Sequence, residues 1–232
     1  MNHKRLTLFA GHYGSGKTNI AVNYALLLAG EGKQVCIADL DIVNPYFRTK
    51  DSAKVLEEAG VDLISPQFAN TNVDLPALPA EAYRLVSDKS CYGIMDIGGD
   101  DRGAYALGRY VPSILAENNY RMIFVANCYR PLTRTPEDAM EVMGEIEAAC
   151  GLKFTDIINN SNLGTETTPD TVLASRAYME KLSELSGLPI FATTAEYAVA
   201  EALDIENVIP LRLQEKYFDL PSQKPGNRPL WG

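Results

Sequence analysis

Short apolar runs recur along the chain, separated by segments whose apolar positions repeat every three to four residues. The runs are Leu6 to Ala10, Val35 to Ala38, Val61 to Ile64, Tyr92 to Met95, Met122 to Ala126, Phe154 to Ile158 and Pro189 to Ala192. Their continuous hydrophobicity is that of strands buried on both faces, where the alternation of a half-exposed strand disappears. After the first run, Ile20, Ala21, Tyr24, Ala25, Leu27 and Leu28 fall at helical spacing, and Gly30 and Gly32 stop that helix before Lys33. Buried strands alternating with helices predict an α/β fold: a three-layer, doubly wound, mostly parallel sheet of about seven strands. Ligands of such sheets bind outside the carboxyl ends of the strands, so candidate chemistry should follow the runs directly.

The residues after the first run meet that expectation. Gly11-His12-Tyr13-Gly14-Ser15-Gly16-Lys17-Thr18 is a complete G-x-x-x-x-G-K-[ST] phosphate-binding loop, followed by Asn19 at the start of the helix. Its glycines let backbone N–H groups close around phosphate oxygens, Lys17 meets the β/γ-phosphates, and the Thr18 hydroxyl reaches Mg²⁺. The second run leads into Asp39-Leu40-Asp41, whose carboxylates point to one side of an extended segment and suit one magnesium site. The fourth ends in Asp96-Ile97-Gly98-Gly99-Asp100-Asp101. Asp96 is the acidic strand-end group for a Mg²⁺ water shell, Gly98 and Gly99 admit a γ-phosphate, and Asp100 and Asp101 are placed to cap the next helix.

Charge and cysteines narrow the classes. Lys plus Arg number 21 against 30 Asp plus Glu, a formal charge of −9, which repels a nucleic-acid backbone. No apolar stretch approaches a membrane span or the core of a signal peptide, so the expected location is cytoplasmic, with neither nucleic acid nor membrane as partner. Cys36, Cys91, Cys128 and Cys150 form no C-x-x-C pair and read as buried free thiols. Residues 1–220 read as a single nucleotide-binding domain, since no linker or repeat interrupts the pattern. Residues 221–232, with Pro221, Pro225, Pro229 and Trp231, read as an extended tail that wraps the domain or docks a partner.

The order phosphate loop, D-x-D after the second strand and D-x-G-G after the fourth resembles the MinD/ParA/CobQ-type P-loop ATPases of the SIMIBI class, over nearly the whole chain. Val125-Ala126-Asn127 followed by Thr135-Pro136-Glu137 is similar to the family's segment after the fifth strand. The resemblance implies that Lys17 and Thr18 hold phosphate and Mg²⁺, that Asp96 is the Walker B acid, and that Asp41 acts on the attacking water. It also implies that Asn159 or Asn160 reads adenine, whose edge needs one donor and one acceptor. Asn159-Asn160-Ser161-Asn162 lacks the carboxylate that guanine recognition uses, so the expected cofactors are ATP and Mg²⁺.

One departure bears on partners. MinD and ParA carry a second lysine early in the loop that reaches across a nucleotide-dependent homodimer, and here that position is His12. Histidine is mostly neutral at pH 7, so hydrolysis is expected to be slow until a partner completes the site. The leading expectation is a switch ATPase that couples hydrolysis, through loops at 41–48 and 98–103, to a client protein or metallocentre. Alternatives are a CobQ- or dethiobiotin-synthetase-like biosynthetic enzyme, whose substrate the loop Ser65 to Asn72 would frame, and a non-hydrolysing ATP-binding module.

Overall fold

The structure, a computed structural model, describes residues 2–40, 52–64, 80–98 and 101–213 of the 232-residue chain. The chain runs β1 (Leu6–Ala10), α1 (Lys17–Gly30), β2 (Val35–Leu40), α2 (Ala53–Glu58), β3 (Asp62–Ile64), α3 (Arg84–Ser87) and β4 (Tyr92–Ile97). It continues through α4 (Asp101–Gly108), α5 (Val111–Glu117), β5 (Tyr120–Ala126), α6 (Pro136–Cys150), β6 (Asp156–Asn159), α7 (Pro169–Ala174) and α8 (Arg176–Ser186). It then closes with β7 (Ile190–Glu196), α9 (Tyr197–Glu201) and β8 (Val208–Leu211).

The strands form one parallel sheet in the order β3-β2-β4-β1-β5-β6-β7-β8. β1 lies inside it, between β4 and β5, and is buried at all five positions because both faces of the sheet are covered. One face packs Phe9, Ile37, Ile94, Ile123 and Ile158 against Ile20, Tyr24 and Leu28 of α1 and Leu56 of α2. The other packs Leu6, Leu8, Met95 and Phe124 against α3 to α6 and α8. This is the expected three-layer α/β architecture.

The differences are local. The described residues hold eight strands rather than seven: β8 contains Pro210, which an edge strand tolerates and which hides the run from a periodicity reading. β7 extends through Thr193, Thr194 and Glu196 past the apolar run that announced it, because polar residues at a strand's carboxyl end can face a site. β6 starts at Asp156, later than Phe154. Within α1 the expected buried stripe is present except at Leu27, which is 38 % exposed. Asp41, the segment 65–79, Gly99, Asp100, the side chain of Asp101 and the tail from residue 221 all lie outside the described residues, and so do the expectations placed on them.

Candidate nucleotide site

The phosphate loop joins β1 to α1 under tight steric control. Gly11 has φ 153°, and a Cβ there would lie 2.7 Å from the Val125 carbonyl oxygen of the neighbouring strand. Gly16 has φ 94°, and a Cβ there would lie 2.2 Å from Asn160 Nδ2. Only glycine satisfies both the conformation and the closeness. Between them the Ser15 N–H donates to the His12 carbonyl at 3.1 Å, curling the loop. Lys17 is buried and its Nζ donates to the same carbonyl at 3.1 Å, so the loop itself steadies the lysine.

α1 starts from Gly16 with no side chain capping it. By contrast α6 is closed by a reciprocal Thr135–Asp138 box and α7 by a Thr168–Thr171 box. The first N–H groups of α1 thus keep their capacity to receive an anion, and the helix dipole adds a positive field there.

The carboxylates converge on the same end. Parallel register pairs Asp39 of β2 with Asp96 of β4, and Asp96 with Phe9 of β1, two residues before the loop begins. Alternation along each strand puts Asp39 on the face of Ile37 and Asp96 on the face of Ile94, which is the face α1 covers. Both are buried, as are Lys17 and Thr18 at the start of that helix. Gly98 follows on β4, and a Cβ on Gly103 would lie 2.7 Å from its N and Cα, so α4 rests directly on this glycine. Gly103 carried no signal in the sequence, since its role depends on the crossing of two backbones.

Asn159 and Asn160 do not act as a pair. Consecutive residues of a strand point to opposite faces. Asn159 donates to Ser175 Oγ at 2.8 Å and accepts from the Ser161 N–H at 3.1 Å. Asn160 donates to the Ser15 carbonyl at 2.6 Å and accepts from Thr194 Oγ1 at 2.7 Å, bracing the phosphate loop from β6 and β7. Both amides are engaged within the protein. Thr194, absent from the sequence expectation, and Asn127, which the expectation placed only in the segment after the fifth strand, belong to the same network: Asn127 Oδ1 accepts from the N–H groups of Tyr129 and Asn162.

Within the loop Tyr13 is exposed, and His12 Nδ1 lies 2.9 Å from the Tyr13 carbonyl oxygen. The four cysteines are free, with Cys36, Cys91 and Cys150 buried and Cys128 partly so. Burial, with Cys91 beside it, pushes the Cys36 thiol up to about 12, which keeps it protonated and unreactive at neutral pH.

A P-loop that joins β1 to α1 of a parallel sheet, with buried strand-end carboxylates beside it, decides the architecture. The chain has the P-loop NTPase fold. Solved structures with this fold include the cell division protein FtsY of Thermotoga maritima, at 18 % identity over 82 % of this chain and 61 % of that one, with a TM-score of 0.53. Chloroplast FtsY of Physcomitrella patens aligns at 16 % identity over 83 % and 59 %, TM-score 0.55. The signal recognition particle receptor FtsY of Elizabethkingia anophelis in complex with GDP aligns at 16 % over 84 % and 58 %, TM-score 0.53. The chain spans about three-fifths of the length of these structures. No protein-family model and no curated protein matches it. Among the described residues no helix of this P-loop NTPase fold is long and apolar enough to cross a membrane.

Proposed function

We propose that the chain is a Mg-ATP-dependent switch ATPase of the MinD/ParA/CobQ type, serving a client protein or metallocentre. The observation that carries this reading is one arrangement: Lys17 and Thr18 open an uncapped helix on the same face of the sheet as the register-paired Asp39 and Asp96. Two neighbouring buried carboxylates repel unless cations offset them. A hydroxyl and carboxylates beside bound phosphates form the hard oxygen set that suits Mg²⁺. Thr18 would hold the ion directly, with Asp96, Asp39 and Asp41 around its water shell. Bound there, it would neutralise charge that develops on the phosphates.

The protein's own groups have separate tasks in this reading. The N–H groups of Gly14, Gly16, Lys17 and Thr18 and the Lys17 ammonium hold the phosphate chain, while Asn160 keeps the loop in the curve that aims those N–H groups. Asp41 orients the attacking water. Base choice falls to the end of β6 and the residues that follow, Asn159-Asn160-Ser161-Asn162, which present no carboxylate to meet guanine's N–H donors. GTP is the second reading, supported by the likeness to FtsY with GDP bound.

Thermal shift and single-turnover assays test this together. Saturating Mg-ATP at 100 times its dissociation constant should add about 2.7 kcal/mol of stability, and an equal or larger shift with GTP would move the assignment to guanine. Asp41→Asn should retain ATP within a few-fold while hydrolysis falls by at least about tenfold, as expected for a lost general base. Wild-type turnover in that variant would remove Asp41 from its role.

A further inference from the structure

The segment after β5 reads Asn127-Cys128-Tyr129-Arg130-Pro131-Leu132-Thr133. β5 lies beside β1 in parallel, with Phe124 in register with Ala10, so this segment emerges next to the phosphate loop. It is tightly made. The Asn127 carbonyl accepts from the Arg130 N–H at 3.2 Å and from Thr133 Oγ1 at 2.7 Å, and the Thr133 N–H donates to the Arg130 carbonyl at 3.1 Å. Pro131 opens the single turn Pro131–Thr133 with a preset φ. This turn carries Arg130 against the loop: a Cβ built on Gly14 would lie 3.8 Å from Arg130 Nε.

Arg130 Nε is buried and has no hydrogen-bond partner among the described residues. Ser15 Oγ and Asn127 Nδ2, in the loop and at the base of the same turn, share that condition. Buried donors are nearly always paired, so three orphans gathered at a phosphate loop point to an acceptor-rich ligand. A guanidinium stays charged at any working pH and matches phosphate geometry with its fork of donors. Where the resembled ATPases place a lysine that acts across a dimer, this loop carries His12.

We propose that Arg130 contacts the phosphate chain of the bound nucleotide from within the same chain, replacing the cation that would otherwise come from a second copy. The inference rests on the reading of the loop as a nucleoside triphosphate site. It makes nucleotide binding a property of the monomer.

The test titrates Mg-ATP and Mg-GTP against wild type, Lys17→Ala, Arg130→Ala and Arg130→Gln, with molecular mass followed by light scattering. Wild type should bind as a monomer with a dissociation constant independent of protein concentration. Each Arg130 variant should bind its nucleotide about ten- to a hundredfold more weakly, as for the loss of a hydrogen bond to a charged group. Their ligand-free melting temperatures should match wild type, since a merely structural arginine would lower them. Wild-type affinity in both Arg130 variants, with Lys17→Ala impaired, overturns the role of Arg130 and leaves the phosphate site standing. Binding that appears only as the chain dimerises overturns it as well. Failure of wild type to bind either nucleotide removes the phosphate-site reading and this inference with it.

Discussion

The two rims of the sheet, the amino edge where its strands begin and the carboxyl edge where they end, are built on opposite principles. At the amino edge charges are paired and enclosed. Arg5 binds Glu117 through two nitrogens and also donates to the carbonyls of Leu85, Asp88 and Cys91, at 2.9, 3.1 and 3.2 Å. Lys89 joins the same carboxylate, and Arg121 pairs with Asp156 at 3.0 Å across the starts of β5 and β6. At the carboxyl edge amides and hydroxyls brace the loops instead, and Ser15 Oγ, Asn127 Nδ2 and Arg130 Nε keep donors to spare. The difference teaches where stability and binding reside: one edge satisfies its polar groups internally, and the other holds backbone in place for something that arrives.

That contrast breaks if a change at the amino edge alters nucleotide affinity. Glu117→Gln removes one partner of a nearly enclosed pair and should cost about 3 kcal/mol of stability, read as a lower urea midpoint, with ATP affinity unchanged. The hydrogen bond from Arg5, with Lys89 adding to it, holds the Glu117 carboxyl below its usual range despite burial. A depressed pKa stabilises the fold above the ordinary glutamate value and loses that contribution as pH falls through the folded value. The gap between wild type and Glu117→Gln should therefore be constant above about pH 5 and close below it. A gap that widens in acid would reverse the assignment.

Lys17→Ala probes the other edge and should do the reverse. It removes a charged contact worth about 1.5–3 kcal/mol of binding, abolishing the melting shift with nucleotide while the ligand-free chain melts near the wild-type temperature. Asn160→Ala lies between the two cases, because its amide links loop to sheet. Losing a buried hydrogen bond and stranding the Ser15 carbonyl should cost about 1–2 kcal/mol, and nucleotide affinity should fall as well. Equal affinity in wild type and Asn160→Ala would mean that the loop holds its curve unaided. The smallest effect is expected at Thr135→Ala, which opens the capping box of α6 for about 1 kcal/mol and should leave nucleotide binding untouched in calorimetric titration.

How much was legible beforehand differs by residue. The loop from Gly11 to Thr18 could be recognised because its function constrains consecutive residues, and Asp39 and Asp96 because strand ends are where such sheets place ligands. Arg130 and Gly103 gave no such signal. Arg130 reaches Gly14 only because β5 is hydrogen-bonded to β1, a neighbour more than a hundred residues away in the chain. Asn159 and Asn160 are interchangeable by sequence, yet in the fold one amide reaches Ser175 and the other, just past the end of β6, reaches Ser15. β8 is hidden in the sequence because Pro210 weakens the apolar pattern that marks the others.

By itself, then, the order of residues determined the alternation of buried strands with helices, the phosphate loop and the charge of the chain. These follow from local periodicity, from backbone freedom at glycine and from composition, none of which needs a distant partner. Only the tertiary structure decided the strand order, the Asp39–Asp96 register, the bracing of Ser15 by Asn160 and the approach of Arg130 to the loop. Each of these is set by which strands lie side by side, and that choice is made by burying two apolar faces at once, a property of the whole sheet rather than of any segment in it.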